Sequence, residues 1–152
     1  MREVLAYNVE PALAERMWDA FAAGDSAGAL ELHREYKADP RHAYADTGLE
    51  LNALGYELLR QRRYGPAIVV MQLSAADHPG SSNAFDSLGE AYMEAGRREE
   101  AIQSYQRAVA LDPANENAVQ ALEKLRGRRR ATPAGVTPAR SDAGTAGPLP
   151  SG

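Results

Sequence analysis

The sequence predicts an all-α fold, a short stack of antiparallel helical hairpins closed by a C-terminal capping helix. Three observations carry that expectation. The series Leu88, Gly89, Ala101, Tyr105, Ala108 and Pro113 recurs 34 residues earlier as Leu54, Gly55, Ala67, Met71, Ser74 and Pro79, and a fixed period of this length marks a repeat architecture. Between these markers, apolar residues return at three- and four-residue intervals, which places them on one face of an α-helix. Gly and Pro stand between the periodic segments, where a helix ends or cannot continue.

Taken in order, residues 1–10 hold Val4, Leu5, Tyr7 and Val9 and read either as a short extended segment or as the remainder of a longer upstream piece. From Pro11, which suits a first helical position, Leu13, Met17, Ala20 and Phe21 share one face with Trp18 beside them. Gly24 and Asp25 end that helix, and a second follows with Ala29, Leu32, His33 and Tyr36 as its inner face, stopping near Asp39 and Pro40. Residues 11–40 form a degenerate hairpin. The step from Gly24 to Ala29 equals that from Gly96 to Ala101, but the Leu-Gly pair is absent. After the loop RHAYAD, Thr47 and Glu50 have the spacing of a capping box, so a helix is expected from about Gly48 to Arg62, burying Leu51, Leu54, Gly55 and Leu58. Gly65 and Pro66 suit the N-cap and first turn of the next helix, whose buried face is Ala67, Ile68, Val70, Met71 and Ser74. The next unit repeats this with Phe85, Leu88, Ala91 and Tyr92, then Gly96, then Ala101, Ile102, Tyr105, Ala108, Val109 and Leu111. A last helix from about Asn115 carries Val119, Leu122 and Leu125 on one side and shows Glu116, Gln120, Glu123 and Lys124 to water, as a capping helix should. Residues 130–152 are rich in Pro, Gly, Ala, Ser and Thr with little to bury, and are expected to be disordered.

The Leu-Gly pair, the small residue twelve positions on, the large residue four further and the closing Pro resemble the tetratricopeptide repeat (TPR). The resemblance implies a right-handed superhelical stack, with full repeats at 48–81 and 82–115 and a capping helix at 116–129. Gly89 and Ala101 are then small because the two helices of a hairpin cross there, while Tyr105 and Met71 fill space between neighbouring hairpins. In this family the first helix of each hairpin lines the concave side. That implies a partner-binding groove of Leu49, Asn52, Tyr56, Leu59 and Arg60 in one unit, Asn83, Asp86, Glu90, Met93 and Glu94 in the next, and Asn117, Gln120 and Lys124 from the capping helix. Members that clamp a C-terminal carboxylate place Lys and Asn at such positions. This sequence places Asp86, Glu90 and Glu94 there, so an acidic chaperone tail is not expected, and a protein or peptide segment with basic and apolar side chains suits the groove better. A narrower resemblance, over roughly residues 12–126, is to the C-terminal helical segment of some bacterial serine hydrolases of the β-lactamase-related and α/β-hydrolase groups. It implies an accessory or docking module and carries over no catalytic residue. That reading requires an exposed apolar patch around Met17, Trp18 and Phe21. An independent module would have that hairpin closed by residues 1–10 or by a second copy, giving a homo-oligomer.

Composition narrows the remaining classes. At 152 residues the chain has room for one folded unit. It has no cysteine, hence no thiolate nucleophile or thiolate metal ligand. The net charge of -4 divides unevenly, with the acidic excess before Arg126 and the basic residues Arg128, Arg129, Arg130 and Arg140 after it. No apolar run reaches the length of a membrane span or a secretory signal, so a cytoplasmic location and no membrane partner are expected. His33, His42 and His78 are dispersed, and no nucleophile elbow, Ser-x-x-Lys pair or phosphate-binding glycine loop occurs, so no enzyme, metal or cofactor is expected. His33 occupies the place of Tyr105 and reads as a packed residue. Arg126 and Arg128–Arg130 read as cations at a helix C-terminus, and without interleaved aromatic residues they do not point to nucleic acid. Glu99 and Glu100, in the first turn of their helix, answer the same dipole.

Overall fold

The computed structural model describes residues 12–130 of the chain, with side chains described as far as residue 127. The expectations for residues 1–10 and for the tail beyond residue 130 lie outside the described residues, as does Pro11. Among the described residues seven α-helices follow one another: α1 (Leu13–Ala22), α2 (Ser26–Ala38), α3 (Gly48–Arg60), α4 (Tyr64–Asp77), α5 (Ser82–Glu94), α6 (Arg98–Leu111) and α7 (Glu116–Arg130), with one 3-10 turn at Pro40–His42. There is no strand among the described residues. Helices pair as α1 with α2, α3 with α4 and α5 with α6. The hairpins then stack, α4 on α5, α1 on α3 and α3 on α5, and α7 closes against α6 and α5.

The same turn ends the first helix of every hairpin. Gly24, Arg62 and Gly96 have φ of 81°, 58° and 74°. In each case the next amide reaches back to a carbonyl five residues earlier, Asp25 to Ala20 at 2.9 Å, Arg63 to Leu58 at 2.9 Å and Arg97 to Tyr92 at 2.8 Å. These are Schellman turns, in which a left-handed residue lets two otherwise orphaned carbonyls find donors. Arg62 is the exception among the three, because its Cβ makes the left-handed conformation costly. It also ends α3 at Arg60, two residues short of the expectation.

Helix starts differ more from the sequence reading. Ser81 Oγ accepts from Ala84 N at 3.2 Å and Asn115 Oδ1 from Ala118 N at 3.1 Å, both as side-chain caps. Thr47 holds the equivalent position 34 residues before Ser81 but does not cap. Its hydroxyl donates instead to Asp77 Oδ2 at 3.0 Å, and Glu50 Oε1 accepts from Ala14 N at 2.8 Å. The expected capping box is therefore absent: both side chains are drawn to other helices. The N-cap of α4 is Arg63, so Gly65 and Pro66 lie inside its first turn.

Two apolar clusters share α4. One unites Leu13, Met17, Phe21, Ala29, Leu51, Leu54, Leu58, Ala67 and Val70. The other unites Ile68, Met71, Ala75, Leu88, Tyr92, Tyr105, Leu122 and Leu125 with small residues between them. Leu59 packs against both. α4 is apolar on almost all sides because it is covered on almost all sides. Gly55 and Gly89 are needed at the helix contacts, but the partner differs from the expected Ala. A Cβ on Gly89 would stand 2.8 Å from two ring carbons of Tyr105, and one on Gly55 2.8 Å from Met71 Cγ and Cε. Met71 and Tyr105 thus lie over the glycine of their own hairpin while belonging to the apolar cluster that joins it to the next helices.

α7 keeps the 34-residue register. Ala118, Leu122 and Leu125 are buried where α5 buries Ala84, Leu88 and Ala91, and Val119 is half-buried. Glu123 stands at the position of Gly89 and is exposed.

Candidate functional site

The register that buries Leu88 and Ala91 turns Asn83, Asp86, Glu90 and Glu94 of α5 to the other side of that helix at three- and four-residue steps. The matching positions of α7 are Asn117, Gln120 and Lys124, and α3 contributes Tyr56, one repeat before Glu90. These side chains, with Met93, Ala121, Leu125 and Tyr105, line one cleft of about 520 Å³. Gly89 matters for its depth, since its bare Cα leaves the space that the Tyr105 ring occupies.

Of the groove residues expected from the sequence, Tyr56, Asn83, Asp86, Glu90, Met93, Glu94, Asn117, Gln120 and Lys124 come together in this cleft. Asn52 and Leu49 line an adjoining hollow with Asp46, His78 and Asn83, so Asn83 borders both. Leu59 and Arg60 fall outside. Leu59 is held between the two apolar clusters, and Arg60 is exposed and paired with Glu57. Tyr105 and Leu125 escaped the sequence reading because their buried periodicity identifies them first as core, and the half-buried Ala121 carried no signal of its own. The signal that placed Tyr105 was present, since a large residue opposite a required glycine lies where the helix backbone is thinnest.

The electrostatics of the cleft are lopsided. Tyr56 Oη donates to Glu90 Oε2 at 2.7 Å, with Ser87 Oγ 3.2 Å away. Burial pushes the Tyr56 hydroxyl up to about 12; Ser87 opposes the shift and the Glu90 carboxylate adds to it. Burial, followed by the charges of Asp86 and Glu90, also raises the Tyr105 hydroxyl. The Asp86 carboxyl is pushed up by burial and by the neighbouring Glu90 charge, against hydrogen bonds from Asn115 and Asn117. Asp86, Glu90 and Glu94 form no ion pair with a described residue, and neither does Lys124. The lining thus holds a row of carboxylates on α5, with Lys124 as the single described cation among the lining residues.

The histidines serve elsewhere. His33 is buried, with Nε2 2.9 Å from Asp77 Oδ2, and the same carboxylate receives Thr47 Oγ1 and lies 3.5 Å from Lys37 Nζ. Burial pushes the Asp77 carboxyl up, but the bonds from His33 and Thr47 and the charges of His33 and Lys37 outweigh it and hold the group below its ordinary value. His42 stacks on Tyr36, with ring centroids 3.8 Å apart. His78 Nε2 is 3.4 Å from Asp46 Oδ1. Among the described residues no cluster of acids and histidines is arranged to hold a metal ion, and no helix is long and apolar enough to cross a membrane.

Residues 89–122 match the family model described as TPR repeat. Together with the stacked hairpins, this match gives the chain the fold of a short TPR-like helical stack. Cellulose synthase operon protein C of Escherichia coli (strain K12) is 31% identical over 97 residues, 64% of this chain and 8% of that protein; the putative cellulose synthase operon protein C of Escherichia coli O157:H7 matches equally. The matched stretch is thus a small part of those relatives. Among solved structures, the first TPR of Spaghetti (RPAP3) bound to an HSP90 peptide superposes with a TM-score of 0.53 at 22% identity, covering 78% of this chain and 91% of that one. The second TPR domain of human RPAP3, in complex with an HSP70 peptide, gives 0.51 at 24%, covering 75% and 92%. MamA of Desulfovibrio magneticus RS-1 gives 0.52 at 24%, covering 78% and 64%. At these identities the three structures show a shared fold.

Proposed function

We propose that this chain is a non-catalytic interaction module that binds a peptide or partner protein through the concave cleft between α3, α5 and α7. One observation carries the reading: Asp86, Glu90 and Glu94 line an open cleft without a paired cation. The half-buried Asp86 carboxylate lies beside the Glu90 charge, and a bound cation offsets the cost of ionising it there. The peptides in the RPAP3 complexes, SRMEEVD and SGPTIEEVD, are acidic. A tail of that charge would meet repulsion here, so the favoured ligand carries basic and apolar side chains.

The accessory-domain reading requires an exposed apolar patch on the first hairpin. Of the three residues expected to form it, Met17 and Phe21 are buried with Leu51, Leu54 and Leu58 and Trp18 is half-buried, so the reading gains no support.

Capture of partners from native cells, comparing wild type with Glu90→Lys/Glu94→Lys, tests the proposal. The double variant is expected to melt within a degree or two of wild type, because exposed charges contribute little to stability, and to lose a discrete set of captured proteins. An unchanged set of captured proteins from a folded variant would refute the cleft as the binding face.

A further inference from the structure

Resting on the concave-face reading, we propose that the cleft takes an extended segment whose alternate residues are basic, basic and apolar. The two cations lie over Asp86 and Glu90, and the apolar side chain lies against Met93 and Leu125. The cleft is ordered along its length. By the 34-residue register, Asn83, Asp86 and Glu90 of α5 correspond to Asn117, Gln120 and Lys124 of α7; Tyr56 is bonded to Glu90, and Met93 and Leu125 also line the cleft. Successive rows on α5 are about 6 Å apart, four residues at the α-helical rise. Alternate side chains of an extended segment are about 6.6 Å apart on one face, so two cations two residues apart can each meet a carboxylate. Adjacent cations cannot, because they point to opposite faces.

Backbone chemistry favours an extended ligand over a helical one. Asn83 and Gln120 are exposed and make no side-chain hydrogen bond to a described residue. Their amides can both donate and accept. An extended segment offers free N–H and C=O groups to them, whereas a helix has already used its own. The raised Asp86 carboxyl is consistent with a place vacant for a cation. Lys124 of α7 also lines the cleft, so the ligand's cations are held to the α5 side and the ligand is basic along one edge only.

The test is fluorescence anisotropy with the full chain at low salt and four capped peptides. The first carries lysine, arginine and leucine at alternate positions separated by serine, and the second is its reverse. The third has the same composition with lysine and arginine adjacent, and the fourth has glutamate for each basic residue. One of the first two is expected to bind, the third about fivefold more weakly and the fourth not measurably, with Asp86→Asn and Glu90→Gln each weakening the best peptide about fivefold. Equal binding of the third peptide overturns the spacing while leaving the acidic cleft as the binding face. Binding of none overturns the inference, and partner capture that still depends on Glu90 and Glu94 would then preserve the concave-face reading alone. Equal binding of the fourth overturns both.

Discussion

At the scale of single residues, the glycines and one buried carboxylate decide most. Gly89 faces a rigid ring and Gly55 a flexible thioether chain, at the same 2.8 Å from an added Cβ. Gly89→Ala is therefore expected to cost more than Gly55→Ala, about 1 to 3 kcal/mol against less than about 1.5, since overpacking is relieved only where the neighbour can move. Chemical denaturation of the two variants checks the order, and equal costs would place the close contact elsewhere. Asp77 and Asp86 give predictions of opposite sign. Asp77 is held below its ordinary value of 3.8, so it stabilises the fold above that pH and ceases to as pH falls through its lower native value. Asp77→Asn should be destabilised at neutral pH, with the deficit vanishing in strong acid. Asp86 is raised above 3.8, so its ionisation opposes folding once the pH passes its native value. Asp86→Asn should be more stable than wild type at neutral pH and indistinguishable in acid. Melting curves from acid to neutral pH test both. Gly55 and Gly89 were legible in the sequence because a repeat shows them twice. The partner of Thr47 was not, because Asp77 lies 30 residues away and nothing local marks a hydroxyl that leaves its own helix.

At the scale of elements, the helix ends show what a local pattern can and cannot say. The Schellman turns at Gly24 and Gly96 were readable, since glycine at a helix C-terminus has one common use. Arg62 fills the same role unannounced, and Arg62→Gly is expected to stabilise by about 0.5 to 1 kcal/mol, the relief of a left-handed Cβ less the added freedom of glycine in the unfolded chain. The helix starts misled because Thr47 and Glu50 have capping-box spacing, yet the Glu50 carboxylate accepts from the first turn of α1. Glu50→Ala should therefore cost about 1 to 3 kcal/mol, the usual penalty for an orphaned donor. Hydrogen exchange should accelerate at Ala14 in α1, with the start of α3 unaffected. Acceleration confined to α3 would restore the capping box.

At the scale of the whole molecule, α4 and Leu59 belong to both apolar clusters, so the first hairpin cannot come away without uncovering the centre. Unfolding should be a single transition. Trp18, the one tryptophan, reports on the first hairpin, and far-ultraviolet circular dichroism reports on every helix. The two denaturation curves are expected to coincide, and an earlier tryptophan transition would show a separately melting hairpin. The cleft was half legible: the identities along its rim follow from the repeat register, but its depth depends on Tyr105 of α6 seated over Gly89 of α5. One last consequence concerns lengthening the array. Glu123 presents a carboxylate where each full unit leaves bare backbone, so a graft adding another rod onto that flank would first need Glu123→Gly to let the newcomer sit close.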